Sequence, residues 1–165
     1  MPAIRTRLPA LAVSALLLVA CGGDQPAVED TAPPAAESPT EGGAVTYTAV
    51  EYEFRGPASL PAGPVTIELR NEGEEQHELQ LVRLEKGRTV EDVEALFEEG
   101  VPQGPPPWVT QVGGTFAAPG ETAEQPVAAD LEAGTYVMLC LVPTERDGEQ
   151  VPHAALGMIR EVSVG

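Results

Sequence analysis

Basic residues are scarce in this chain of 165 residues: nine Lys and Arg stand against 26 Asp and Glu, for a formal charge of −17. No basic stretch occurs anywhere, which excludes nucleic-acid binding, because that depends on clustered cations neutralising phosphates. The apolar run at 8–20 is too short to cross a bilayer as a mature helix. Neither a Gly-x-Ser-x-Gly elbow nor a phosphate loop is present, so the chain is expected not to be an enzyme. Cysteine and histidine are rarer still, with only Cys21, Cys140, His77 and His153. An acidic surface repels anionic headgroups and favours solubility; it also steers basic partners.

What is there begins with a leader. Arg5 and Arg7 precede the apolar run, and Leu18-Val19-Ala20-Cys21 resembles the bacterial lipobox, in which the Cys is acylated and becomes the new N-terminus. The expectation is a lipoprotein signal peptide at 1–20 and a lipid on Cys21. Two or three acyl chains on one residue hold a protein stably to a membrane where one would not. Loss of Arg5 and Arg7 would take the charge from −17 to −19. From Cys21 to Gly43 the composition is Gly, Pro, Ala, Thr and acids, with almost nothing to bury, and it reads as a disordered acidic tether. Residues 44–165 then make one domain, large enough for a single core.

In that domain Cys140 has no cysteine to pair with once Cys21 is lipidated. An exposed thiol outside the cytoplasm would be an oxidation liability, so Cys140 is either an inert core residue or a ligand. Val65, Ile67 and Leu69 alternate with Thr66, Glu68 and Arg70, the period of a half-buried strand. His77 shares parity with Leu79 and Leu81, which turns its imidazole toward the interior. A run from Val45 to Phe54 reads as an earlier strand, and Thr89 to Gly100 as a helix with Thr89 as N-cap and Val90, Val93, Leu96 and Phe97 on one face. That face is expected to cap one end of a sandwich. The segment from Pro105-Pro106-Pro107-Trp108 to Gly113-Gly114 reads as extended loop.

The densest chemistry lies in Gly134-Thr-Tyr-Val-Met-Leu-Cys140, a polar loop, and His153-Ala-Ala-Leu-Gly-Met158. Two strands joined as a hairpin would bring Cys140 and Met158 to one end with His153 beside them. Thiolate, imidazole and thioether together suit copper. A nucleophilic Cys140–His153 pair is conceivable, but it leaves His77 and Met158 without a role.

This stretch resembles the C-terminal hairpin of the cupredoxins, the plastocyanin and azurin family, through Gly134, Thr135, Tyr136, Cys140, His153, Gly157 and Met158. The family's upstream histidine follows an Asn-x-Gly turn, matched here by Asn71-Glu72-Gly73 and His77. The resemblance implies an all-β, cupredoxin-like Greek-key sandwich with one inserted short helix. It also implies one type 1 copper site with His77, Cys140 and His153 in a plane and Met158 as weak axial ligand. Two departures stand out. Twelve residues separate Cys140 from His153, where the family has only a few, and Glu78 follows the first histidine where an Asn often braces the Cys loop. Lengthening the loop from about four to about twelve residues costs on the order of 1 kcal/mol in closure entropy. A metal bound through a thiolate is worth on the order of 10 kcal/mol on the zinc-finger scale, so the loop is expected to act as a spacer.

The resemblance thus points to a monomeric, extracytoplasmic, membrane-anchored electron carrier with an unidentified redox or copper-exchange partner. A copper storage or delivery protein and a metal-free cupredoxin-like binding domain remain as alternatives. For the anchor the outcome is specific. Cys21→Ser should leave an unprocessed precursor, and labelled fatty acid should mark the wild type but not the variant; normal cleavage of an unlabelled wild type would end the lipoprotein reading.

Overall fold

The computed structural model describes residues 43–165. The expected leader at 1–20, the lipidated Cys21 and the tether up to residue 42 lie outside the described residues. Strand-forming alternation dominates the domain. In chain order the elements are β1 (Ala44–Val50), β2 (Glu53–Arg55), β3 (Ser59–Leu60), β4 (Gly63–Asn71) and β5 (His77–Leu84). After them come α1 (Val90–Glu98), β6 (Val109–Ala117), β7 (Val127–Leu131), β8 (Gly134–Leu139), β9 (Pro143–Arg146), β10 (Glu149–Pro152), a 3-10 turn (His153–Leu156) and β11 (Ile159–Val164).

Two sheets face each other. One has the order β2-β1-β4-β7 and the other β3-β11-β8-β5-β6, so the chain crosses between sheets repeatedly, as in a Greek key. This is the all-β sandwich with one inserted helix that the pattern of short strands predicts. Inward residues of both sheets meet in one core: Tyr47, Ile67, Leu69, Leu79, Leu81 and Met138 have no exposed surface. The alternation read in β4 holds, with Val65, Ile67 and Leu69 buried. β8 and β11 pair antiparallel with Leu139 opposite Ile159, which sets Cys140 and Met158 side by side just past the ladder.

Three expectations change. The supposed strand 45–54 is a hairpin, because the chain turns at Glu51 and Tyr52 and pairs Val50 with Glu53. The stretch after Trp108 is not loop. It forms β6, whose Gly113 and Gly114 sit opposite Leu81 and Gln80. A side chain at Gly113 would collide with Val127, and one at Gly114 with Gln80, so close approach explains these glycines inside a strand. Finally, α1 does not cap an end of the sandwich. Val93 and Phe97 lie on the outer face of the five-stranded sheet, against Val82, Leu84, Val137 and Leu139. The helix starts as read: the Thr89 amide donates to the Asp92 carboxylate at 3.0 Å.

The outer cluster makes β5 buried on both faces, with Leu79 and Leu81 inward and Val82 and Leu84 outward. Truncating Leu81 to Ala should therefore cost about 2–5 kcal/mol. Val93→Ala, in the smaller outer cluster, should cost less, about 1–2 kcal/mol by its lost methyl groups. Urea unfolding curves of the two variants check this order.

Candidate metal centre

Four segments converge at the end of the core that holds Asn71, the first residues of β5 and the last of β8. Asn71 organises the approach to His77. Its side-chain oxygen accepts from the Gly73 amide at 2.8 Å, closing a local turn, and its amide donates to the carbonyls of Glu75 (2.7 Å) and Ala117 (3.0 Å). The Asn-x-Gly turn before the first histidine is thus built by a buried side chain. On the other side, the Ala154 amide donates to the Cys140 carbonyl at 2.8 Å and the Cys140 amide to the Met158 carbonyl at 3.2 Å. The Met158 amide donates to the His153 carbonyl at 3.0 Å. Gly157, at φ 98, ends the 3-10 turn in the left-handed region and redirects the chain into β11; there a Cβ would be strained by about 1 kcal/mol or more.

The side chains meet where these segments do. His77 Nδ1 lies 3.2 Å from His153 Nδ1, and Cys140 Sγ lies 3.4 Å from His153 Nδ1. The ligand atoms of the three residues all lie within 4.8 Å of one another, and none of the three side chains is exposed. Met158 is equally buried and belongs to the same core cluster as Cys140. Three of the four residues expected at the site, His77, Cys140 and His153, are brought together, and Met158 lies nearby, its backbone bonded to Cys140 and His153. The Glu78 amide donates to Cys140 Sγ at 3.2 Å.

The outer nitrogens of the imidazoles show what the inner ones can do. His77 Nε2 is 3.2 Å from Glu51 Oε1, and His153 Nε2 is 2.9 Å from Glu75 Oε2. A carboxylate only accepts, so each Nε2 carries the proton and each Nδ1 presents a lone pair inward. Burial pushes the Glu75 carboxyl up, but hydrogen bonds from Thr144, Tyr52 and His153 outweigh it and hold the group below the usual carboxylate range. Burial acts the same way on Glu51, and the amides of Glu74 and Glu75, with His77, bring it below that range. Burial also lowers the pKa of His153, against the pull of Glu75. At His153 the neutral imidazole is therefore the form at pH 7.

The Cys140 thiol is pushed up by burial, so the apo site is a thiol that must give up its proton to a metal. The thiol proton can serve only one of the two facing lone pairs, so a buried cation that all three donors share satisfies the group more fully. Three donors about 2.0–2.3 Å from one ion at trigonal angles stand roughly 3.5 Å apart; the two spacings to His153 Nδ1, 3.2 and 3.4 Å, are close to that, and all three atoms lie within 4.8 Å of one another. The donor set fits a soft-to-intermediate metal, and two nitrogens, a thiolate and a nearby thioether fit copper best.

Glu51 and Glu75 escape a reading of sequence, since nothing in a chain with 26 acids marks those two. The loop between Cys140 and His153 is also more than a spacer. It folds into its own hairpin, β9 and β10, turning at Asp147-Gly148. From it Thr144 donates to Glu75 at 3.3 Å, and Arg146 donates to the Tyr52 hydroxyl at 2.6 Å. Tyr52 in turn donates to Glu75 at 3.1 Å and meets the His153 ring edge-on at 4.8 Å. The departure at Glu78 is resolved as well. Burial pushes its carboxyl up while the Leu141 backbone amide pulls it down, so the side chain faces the Cys loop from the position where the resembled family often carries Asn.

No family model matches the chain, and no curated relative does. Among solved structures it is similar to a reduced auracyanin from Roseiflexus castenholzii, at 21% identity over 76% of this chain and 99% of that one, with a TM-score of 0.44. Auracyanin A, described as a "blue" copper protein from Chloroflexus aurantiacus, is 23% identical over 74% of this chain and all of its own, with a TM-score of 0.44. Rusticyanin from Thiobacillus ferrooxidans is 22% identical over 74% of this chain and 76% of its own, with a TM-score of 0.47.

If Glu75 fixes the His153 ring, Glu75→Ala should weaken metal binding about 10- to 100-fold, the usual effect of losing such a partner. Chelator competition at fixed pH measures it. Thr144→Ala, which removes one of the bonds to Glu75, should lose less. Wild-type affinity in Glu75→Ala would mean that packing alone orients the ring.

Proposed function

We propose that this chain is a cupredoxin-like copper protein that carries single electrons on the extracytoplasmic side of a membrane, held there by a lipid on Cys21. The observation that carries the copper reading is the pair of inward-facing Nδ1 atoms, 3.2 Å apart, beside a buried thiol. His77 and His153 would hold the metal through Nδ1, Cys140 through its thiolate and Met158 through its thioether. Copper, when bound, supplies a one-electron couple. Everything else is the work of this chain. Glu51 and Glu75 hold the imidazole protons on the outside, and the Glu78 amide donates to the sulfur and tempers its charge. β5, β8 and the 3-10 turn fix the donors so that little has to move when charge changes.

Burial separates this reading from copper delivery. Handing a metal to another protein requires that an incoming ligand reach it, and His77, Cys140 and His153 have no exposed surface. Electrons need no such access. The acidic surface favours a cationic partner, and the lipid on Cys21 would supply the membrane contact that acidity opposes.

Adding Cu(II) to the purified protein should give one equivalent of tightly bound copper and an intense visible band from the thiolate, blue or green. Cys140→Ser should abolish the band and leave the far-ultraviolet circular dichroism unchanged. Colourless uptake of zinc in preference to copper would reassign the site, and no metal uptake at all would leave the binding-domain reading in its place.

A further inference from the structure

We propose that a redox protein with an apolar contact face ringed by Lys and Arg docks on the outer face of the five-stranded sheet, over the row Phe116–Glu78–Leu141, and exchanges electrons with the centre there. The inference rests on the copper reading above and adds where the partner sits and what it is like.

Strand register creates the row. Glu78 of β5 pairs with Phe116 of β6, and Gln80 pairs with Leu139 of β8. Continued two residues past the end of β8, the same register brings Leu141 to Glu78, and both line one cleft. Side chains two apart share a face and neighbouring strands lie about 4.8 Å apart, so the three stand side by side, outward. Two of them are conspicuous: Phe116 is 65% exposed and Leu141 45%. The one other exposed large hydrophobic among the described residues, Val101 at 56%, joins Leu141 and Glu78 in lining a mainly apolar cleft of about 420 Å³. Phe97 of α1 and Pro102 also line it. All the large apolar side chains that this domain leaves in water thus gather around Glu78, and apolar surface gathered in one place marks a contact site.

The same place is the shortest way in to the sulfur. The Glu78 amide reaches Cys140 Sγ through one hydrogen bond, and Leu141 is the next residue after Cys140. The alternative approach, along the His153 ring, is covered by Glu75, Tyr52 and the β9–β10 hairpin. Charge identifies the occupant. Glu78 lies in the middle of the row, Glu98 and Glu99 are exposed in the segment that leads to Val101, and Glu145 and Glu149 are exposed on the hairpin that begins just after Leu141. The guanidinium of Arg146, on that hairpin, is stacked over Tyr52. A second copy of this chain, or an anionic bilayer, would bring like charge to this rim, whereas a basic protein face complements it.

The test uses the full copper-loaded chain, reduced, and mixed in a stopped-flow instrument with a lysine-rich ferric c-type cytochrome or with ferricyanide. Phe116→Ser and Val101→Ser together should slow the cytochrome reaction about tenfold or more, while the visible spectrum and the ferricyanide rate stay as in the wild type. Glu98→Lys with Glu99→Lys should slow the cytochrome reaction and flatten its dependence on ionic strength. An unchanged cytochrome rate in the serine pair overturns the proposal, as does equal slowing with both oxidants, which would place the defect in the centre. A dimer of the wild type that the serine pair abolishes, with the cytochrome rate unaffected, would assign the patch to a second copy. Failure to bind copper would remove the function itself and this inference with it, and the absence of the visible band shows that case directly.

Discussion

Two carboxylates hold the protons of two buried imidazoles on the outside, and the rest of this site depends on that. Without Glu51 and Glu75, either ring could flip or take the other tautomer, and a proton would sit between His77 and His153 where a metal is to go. With them, the inner nitrogens are bare and fixed in direction. Each carboxylate is in turn held by groups from elsewhere: Glu51 by the amides of Glu74 and Glu75, and Glu75 by Tyr52 and Thr144. The network reaches from the β1–β2 turn through the loop before β5 to the β9–β10 hairpin. Three excursions from the sandwich serve one pair of rings.

That arrangement gives the long hairpin a reason. A chain of twelve residues between Cys140 and His153 is not needed to span a short gap at one end of a sheet. It is needed if the same chain has to lie across His153 and supply Thr144 and Arg146. The entropic cost of the extra length, on the order of 1 kcal/mol, is small against the order it imposes on Glu75 and Tyr52. The cover over the histidine edge and the exposed row at Phe116 and Leu141 are then two sides of one design, closing one approach to the metal and leaving the other open.

The fold and the donors are legible in the sequence for simple reasons. Alternation in β4 is a strong local signal because one face of that strand is in the core and the other is not, and within β5 the parity of Leu79 and Leu81 turns His77 inward. The Cys, His and Met of the terminal hairpin are legible because the chain has so few residues of those kinds. Features that depend on distant contacts cannot be read in this way. β6 reads as loop because Gly113 and Gly114 are poor strand formers, and only the nearness of Val127 and Gln80 explains them. The turn at Glu51 and Tyr52 interrupts a run of good strand residues, and it is held by tertiary bonds to Glu74 and Glu75. Glu78 reads as a departure because its side chain differs from Asn, and only the structure shows its amide bonded to the Cys140 sulfur.

The parallel pairing of β1 and β4 also fixes a polarity. Ala44 lies against Thr66 and Ala49 against Asn71, so β1 enters at the pole away from the imidazoles and runs about 17 Å toward them. Val164, paired with Gly134, finishes at that far pole too. A force applied through the N-terminal side would therefore act on the end remote from His77 and Cys140. Such a force would shear β1 along β4, loading a whole ladder of hydrogen bonds at once rather than peeling it open beside the site.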